Sequence, residues 1–183
     1  MLALLGFLLF AASDAPAPQP AAVSKVLDLF DRLRAGTKTS FQLTEAEVNE
    51  YMVSALKRQP RPGLDSVQIR YFPKNYVATF TVLDFDAVEK WKPGTIPAIL
   101  RPVLTGRKTV WIDVRFQVTA ARLTYTVEKA YFEKIWLPAS MVQKMMEVVA
   151  ARQPEHYDTT KPLPLPFGLR DVRTSDKLVA GNN

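Results

Sequence analysis

Residues 107–152 read RKTVWIDVRFQVTAARLTYTVEKAYFEKIWLPASMVQKMMEVVAAR, and the fold turns on them. In the first part Val110, Ile112, Val114, Phe116 and Val118 alternate with Trp111, Asp113, Arg115, Gln117 and Thr119, which is the period of a strand with one buried face. From Arg122 to Phe132 the same alternation runs through Leu123, Tyr125 and Val127. Each run holds about a dozen residues, roughly 40 Å at strand rise and about twice the usual length. Strands of that length twist and curl. Pro138 suits a first helical position, and Ala139 to Arg152 then places Val142, Met145, Met146 and Val149 on one helix face. That helix is only about 20 Å long. It cannot cover the inner face of a sheet about twice its length, so the pattern predicts an apolar groove lined partly by adaptable methionine. A methionine and valine stripe is otherwise ordinary core, and the length mismatch is what favours a groove.

With 183 residues, the chain suffices for one domain with a real core. Hydrophobic residues at 48% and charged residues at 23% exclude general disorder. A net charge of +6 favours anionic surfaces, a membrane surface among them. The basic residues are scattered in loose groups, Lys57, Arg58 and Arg61 in one and Arg101, Arg107 and Lys108 in another. Without a lysine- and arginine-dense run, nucleic acid is disfavoured as a partner.

Residues 1–13, with the apolar run Leu2 to Phe10 before Ala11-Ala12-Ser13, read as a signal peptide that has no basic n-region. Residues 14–22 are a Pro/Ala linker, and residues 23–183 form the single folded domain. The absence of cysteine removes a lipoprotein anchor and any disulfide framework. The expectation is a soluble periplasmic or otherwise exported protein.

Along the domain, Val23, Val26, Leu27, Phe30 and Leu33 mark an amphipathic helix ending near Gly36. Thr44 and Glu47 then form a capping box, with Leu43 placed to staple against Val48. The helix that follows presents Val48, Tyr51, Met52, Ala55 and Leu56 and stops before Pro60-Arg61-Pro62-Gly63. Leu64 to Phe72 and Tyr76 to Phe85 read as antiparallel strands joined by Pro73-Lys74-Asn75. The second of these is apolar on both sides, and Tyr76, Ala78, Phe80 and Val82 are taken as its inner set. Asp86 reads as the cap of a short helix ending near Trp91, Ile96 to Leu104 as a proline-interrupted helical segment, and Phe167 to Ala180 as a short strand pair around Ser175-Asp176. The order indicates an antiparallel α+β domain.

Catalysis has few places to live. The chain has one histidine, His156, in a polar loop without a serine nucleophile motif, and no cysteine. A transition-metal site is disfavoured on the same ground, and no glycine-rich phosphate loop is present. The reading is a non-enzymatic protein without cofactor or metal.

Phe41-Gln42-Leu43-Thr44-Glu45-Ala46-Glu47-Val48-Asn49-Glu50-Tyr51-Met52 resembles the opening helix of single-module bacterial members of the tubular lipid-binding (TULIP) superfamily. The Leu137-Pro138 helix start after a long hairpin and the late segment Pro166-Phe167-Gly168-Leu169-Arg170-Asp171-Val172 occur in the order of that family, so the resemblance spans Phe41 to Ala180. It implies an α+β fold in which a strongly curved antiparallel sheet wraps around a long amphipathic helix, with additional short helices, and acyl chains lie between them. The expected function is a periplasmic lipid-binding or lipid-transfer protein. Its groove would be lined by Tyr51, Met52, Ala55 and Leu56 on one helix, Met145, Met146 and Val149 on the other, and Phe80, Val114 and Phe116 from the sheet. Lys57 and Arg58 would meet the head group. The alternative is a non-catalytic protein-interaction domain of the cell envelope with a dry core.

Overall fold

A computed structural model of the chain describes residues 20–94, 96, 98, 101–144, 158 and 161–183. Its elements are α1 (Ala21–Arg34), β1 (Ser40–Thr44), α2 (Glu45–Arg58), β2 (Leu64–Phe72), β3 (Tyr76–Asp84), α3 (Phe85–Trp91), β4 (Arg107–Thr119), β5 (Arg122–Phe132) and β6 (Ile135–Trp136). After these come helical residues 139–144, β7 (Leu163–Pro164), a 3-10 turn (Pro166–Gly168), β8 (Asp171–Ser175) and β9 (Leu178–Asn182). The architecture is α+β. One large antiparallel sheet has the order β2-β3-β4-β5-β6, with β7 on β5, and a small sheet has the order β1-β9-β8. Among the described residues no helix is long and apolar enough to cross a membrane.

The long hairpin forms as its alternation predicts, with β4 of 13 residues and β5 of 11. A bulge between Asp113 and Val114 shifts the β4–β5 register partway along, which adds local twist. The connecting turn is Ala120-Ala121, with both residues at positive φ (51° and 59°). Two-residue hairpins demand that geometry, and alanine meets it only with strain that glycine or asparagine would avoid.

α2 starts where the capping box places it. The Glu47 carboxylate accepts from Thr44 N at 2.7 Å, and Thr44 Oγ1 accepts from Glu47 N at 3.2 Å. Burial pushes the Glu47 pKa up, but hydrogen bonds from Lys25 and Thr44 outweigh it and hold the carboxyl below its ordinary value. The short helix α3 is capped by Asp84, whose Oδ1 accepts from Ala87 N at 3.0 Å, and not by Asp86. The strand simply ends one residue earlier than the alternation suggests, so the earlier aspartate sits at the junction. Gly63, between α2 and β2, adopts φ +80° and passes so close to α3 that an added Cβ would stand 2.1 Å from Val88 Cγ2. Of the expected helical segment Ile96 to Leu104, residues 97, 99 and 100 lie outside the described residues, and residues 101–103 form a turn.

β1 has no counterpart in the sequence reading, which assigned Leu43 only to the helix staple. It pairs with β9, from Ser40 opposite Asn182 to Thr44 opposite Leu178. The small sheet then covers the open edge of β2. Lys177 N donates to Tyr71 O at 3.0 Å, and Thr174 Oγ1 donates to Phe72 O at 2.7 Å. α2 closes the rest of that edge. Asn49 accepts from Ile69 N and donates to Ile69 O (2.7 and 2.8 Å), while Glu45 accepts from Tyr71 N at 3.0 Å. An edge strand covered in this way no longer offers its backbone to another chain.

Candidate functional site

The register of the large sheet decides what its two faces carry, because directly paired residues share a face. Val77 stands opposite Val114, and Thr79 opposite Ile112, so these four face the helices with Ile69 and Tyr71 of β2. Val77 belongs to the main core, and Thr79 is buried as well. The inner set of β3 is therefore the reverse of the one expected. Tyr76, Ala78, Phe80 and Val82 lie on the outer face, since β3 is apolar on both sides and only its pairing with β4 breaks the tie.

On the inner face, Tyr51, Met52 and Ala55 of α2 and Phe116 of β4 are buried in one cluster with Val23, Val26 and Phe30 of α1. Leu56 packs against the cluster from its margin, and Val114 is buried nearby in the same sheet face. Phe30 meets Tyr51 edge to face at 5.6 Å between ring centroids. This end is closed by α1, whose apolar stripe occupies the space expected for a ligand beside Tyr51 and Met52. Burial raises the Tyr51 pKa, while the cations of Arg58 and Arg34 act the other way, so Arg58 lies within electrostatic reach of that phenol. Lys57 and Arg58 themselves are exposed in the last turn of α2.

Further along, the inner face is looser. Val142, in the helical stretch 139–144, is buried with Val127 and Ala130, and Ile112, Tyr125 and Leu137 flank them. Leu83, Phe85, Val110, Ile112 and Phe132 are only half-buried, with Phe85 and Phe132 meeting at 6.0 Å. Met145, Met146 and Val149 lie outside the described residues, as does His156. The structure thus brings Tyr51, Met52, Ala55, Leu56 and Phe116 together and sets Phe80 on the opposite face.

The outer face holds residues that the sequence reading did not single out. Phe80 pairs with Trp111, Trp111 with Tyr131, and Tyr131 with Trp136, so four aromatic residues stand in one row across β3, β4, β5 and β6. Phe80 and Trp111 meet edge to face at 6.1 Å. The next row on the same face is Arg70, Ala78, Asp113 and Lys129. Its Asp113 carboxylate is buried and accepts from Tyr76 Oη at 2.6 Å and from Trp111 Nε1. These bonds orient the Trp111 indole. They also raise the Tyr76 pKa, which burial first and then the hydrogen bond and charge of Asp113 push up to about 12. Small Ala78 leaves an open hollow of ≈ 230 Å³, lined by Gln68, Arg70, Ala78, Thr79, Phe80 and Trp111. Of this row the alternation marks only Trp111 as a polar-side residue; Tyr131 falls in phase with Leu123, Tyr125 and Val127, and the register shift in the β4–β5 pairing turns it to the outer face.

The chain matches no model of a known protein family, and no curated protein matches it.

Proposed function

We propose that the protein binds or transfers lipid in the periplasm, or wherever it is exported, and that it acts without catalysis. The acyl chain lies along the half-buried stretch of the inner face around Leu83, Val110, Ile112 and Phe132. The observation that carries this reading is the contrast between that stretch and the closed core under α1 and α2 on the same face. In this reading the helix beginning at residue 139 supplies a long amphipathic wall, and the sheet curves strongly around it. Burial of an acyl chain contributes about 0.8 kcal/mol per methylene, enough for a short stretch of chain to hold a lipid. The resemblance of Phe41 to Met52 to the opening helix of the TULIP superfamily implies the same arrangement.

Native mass spectrometry of gently purified protein, followed by lipid extraction, is the test. Bound lipid is expected, and Ile112→Trp is expected to abolish its uptake at little cost in stability. A protein that is consistently empty and takes up no lipid probe overturns the reading.

The second reading, a protein-interaction domain with a dry core, is favoured by one observation: Tyr51, Met52 and Phe116, expected at a groove, are packed against α1. In that case Ile112→Trp overpacks the interior and destabilises the fold by about 1–3 kcal/mol.

A further inference from the structure

We infer that the outer face of the large sheet docks on an anionic phospholipid surface, with the aromatic row at head-group depth and the Arg70 hollow receiving a lipid phosphate. The docking goes beyond the lipid-carrying role and does not require a lipid inside the fold.

The row is arranged for an interface between apolar and wet surroundings. Trp111 is 37% exposed, Tyr131 36% and Trp136 59%, so large amphipathic rings reach solvent side by side along about 10 Å, two inter-strand steps. Their bodies are apolar and their edges polar, the combination that places Trp and Tyr at membrane surfaces. The row ends on β6, a two-residue edge strand, with Trp136 as its most exposed ring. An exposed tryptophan on an edge strand suits entry between head groups.

Charge points the same way. Arg70 and Lys129 terminate the neighbouring row, Lys134 sits in the β5–β6 turn, and none of the three has an acidic partner among the described residues. The acidic groups around them are already engaged. Glu128 pairs with Arg115 at 2.9 Å, Glu133 accepts from Thr109 N at 2.5 Å, and Asp113 is held by Tyr76 and Trp111. Of these only Glu128 is neutralised by an ion pair, so three unpaired cations, Arg70, Lys129 and Lys134, stand against two carboxylates, Asp113 and Glu133, and this balance of +1 complements an anionic surface. Within this field Arg70, Phe80 and Trp111 line one hollow. An arginine fork matches a phosphate in two hydrogen bonds, and the rings flank the glycerol or acyl carbons above it.

The experiment uses the full chain with vesicles of phosphatidylcholine alone or mixed with phosphatidylglycerol, the lipids carrying bromine in the upper acyl chain, and reads tryptophan quenching. A Trp91→Phe background removes the indole of α3. Quenching of Trp111 and Trp136 with the phosphatidylglycerol mixture is expected, with little on phosphatidylcholine alone. Arg70→Gln and Lys129→Gln are each expected to weaken binding roughly fivefold, equivalent to about 1 kcal/mol per cation near the surface. Attachment through the apolar Leu2 to Phe10 segment alone would leave the two indoles unquenched and overturn the proposal. Equal quenching on both vesicle types, or a response to oligosaccharide or single-stranded nucleic acid with none to vesicles, would do the same. Circular dichroism of each variant separates lost binding from lost folding.

Discussion

The two faces of one sheet solve different problems with the same strands. On the inner face, Ile69, Tyr71, Val77 and Phe116 are buried among helical side chains and serve stability. On the outer face, Phe80, Trp111, Tyr131 and Trp136 form a row with no element over it among the described residues, and a buried carboxylate tethers two of its neighbours. A strand that alternates sides exposes every second residue to a different selection. The inner face is a set of volumes to be filled, and the outer face is a set of oriented groups.

The largest expected effect breaks the inner face itself. Phe116→Ala should cost about 3–5 kcal/mol in denaturant unfolding, because the ring fills a closed core that relaxes little. Ile112→Ala, in the half-buried stretch of the same strand, should cost about 1–2 kcal/mol, since less of its surface leaves water on folding. Equal losses at both positions would show the inner face to be one uniform core and remove the contrast on which the lipid reading rests.

Asp113→Ala probes the outer face and should cost about 1–3 kcal/mol, because Tyr76 Oη and Trp111 Nε1 lose their shared acceptor. A tyrosine in the unfolded chain ionises near its ordinary value of 10.0, whereas Tyr76 in the fold is pushed up to about 12. Between those values the folded state holds the proton that the unfolded state has lost, so stability should fall as pH rises from 10.0 toward about 12. The contribution is complete below pH 10.0, and Tyr76→Phe should lessen that slope, the remainder coming from Tyr51 and Tyr71, whose pKa values burial also raises.

The smallest effect concerns the turn that keeps the two faces apart. Ala120→Asn with Ala121→Gly should stabilise the protein by about 1 kcal/mol, since asparagine and glycine take positive φ with less strain. A gain in thermal unfolding without change in tryptophan emission would indicate that the register, and with it the aromatic row, is unchanged.

Much of this was legible in the chain because it is local. The capping box at Thr44 and Glu47, the span Arg122 to Phe132 and the strand Leu64 to Phe72 each follow from period and punctuation within a few residues. The missed parts are all non-local. β1 exists because β9 supplies its hydrogen bonds from the other end of the chain, and SFQLT alone is too short to announce it. The inner side of β3 could not be chosen from a strand apolar on both sides. Nor could α1 be recognised as the cover of Tyr51 and Met52, since amphipathic periodicity says that a helix buries a face and not against what. Among the candidate site residues, Tyr51, Met52, Ala55 and Phe116 share one buried cluster, while Phe80 stands on the opposite face of the sheet.

The sequence by itself determined where α2, β2, β4 and β5 lie and that β4 and β5 bury one side, because backbone period and capping chemistry act over a few residues. Only the tertiary structure decided which rings stand in a row. Side chains on neighbouring strands meet through register, which hydrogen bonds between distant segments set, and a shift of one residue would have turned Trp111 to the core and Ile112 to water.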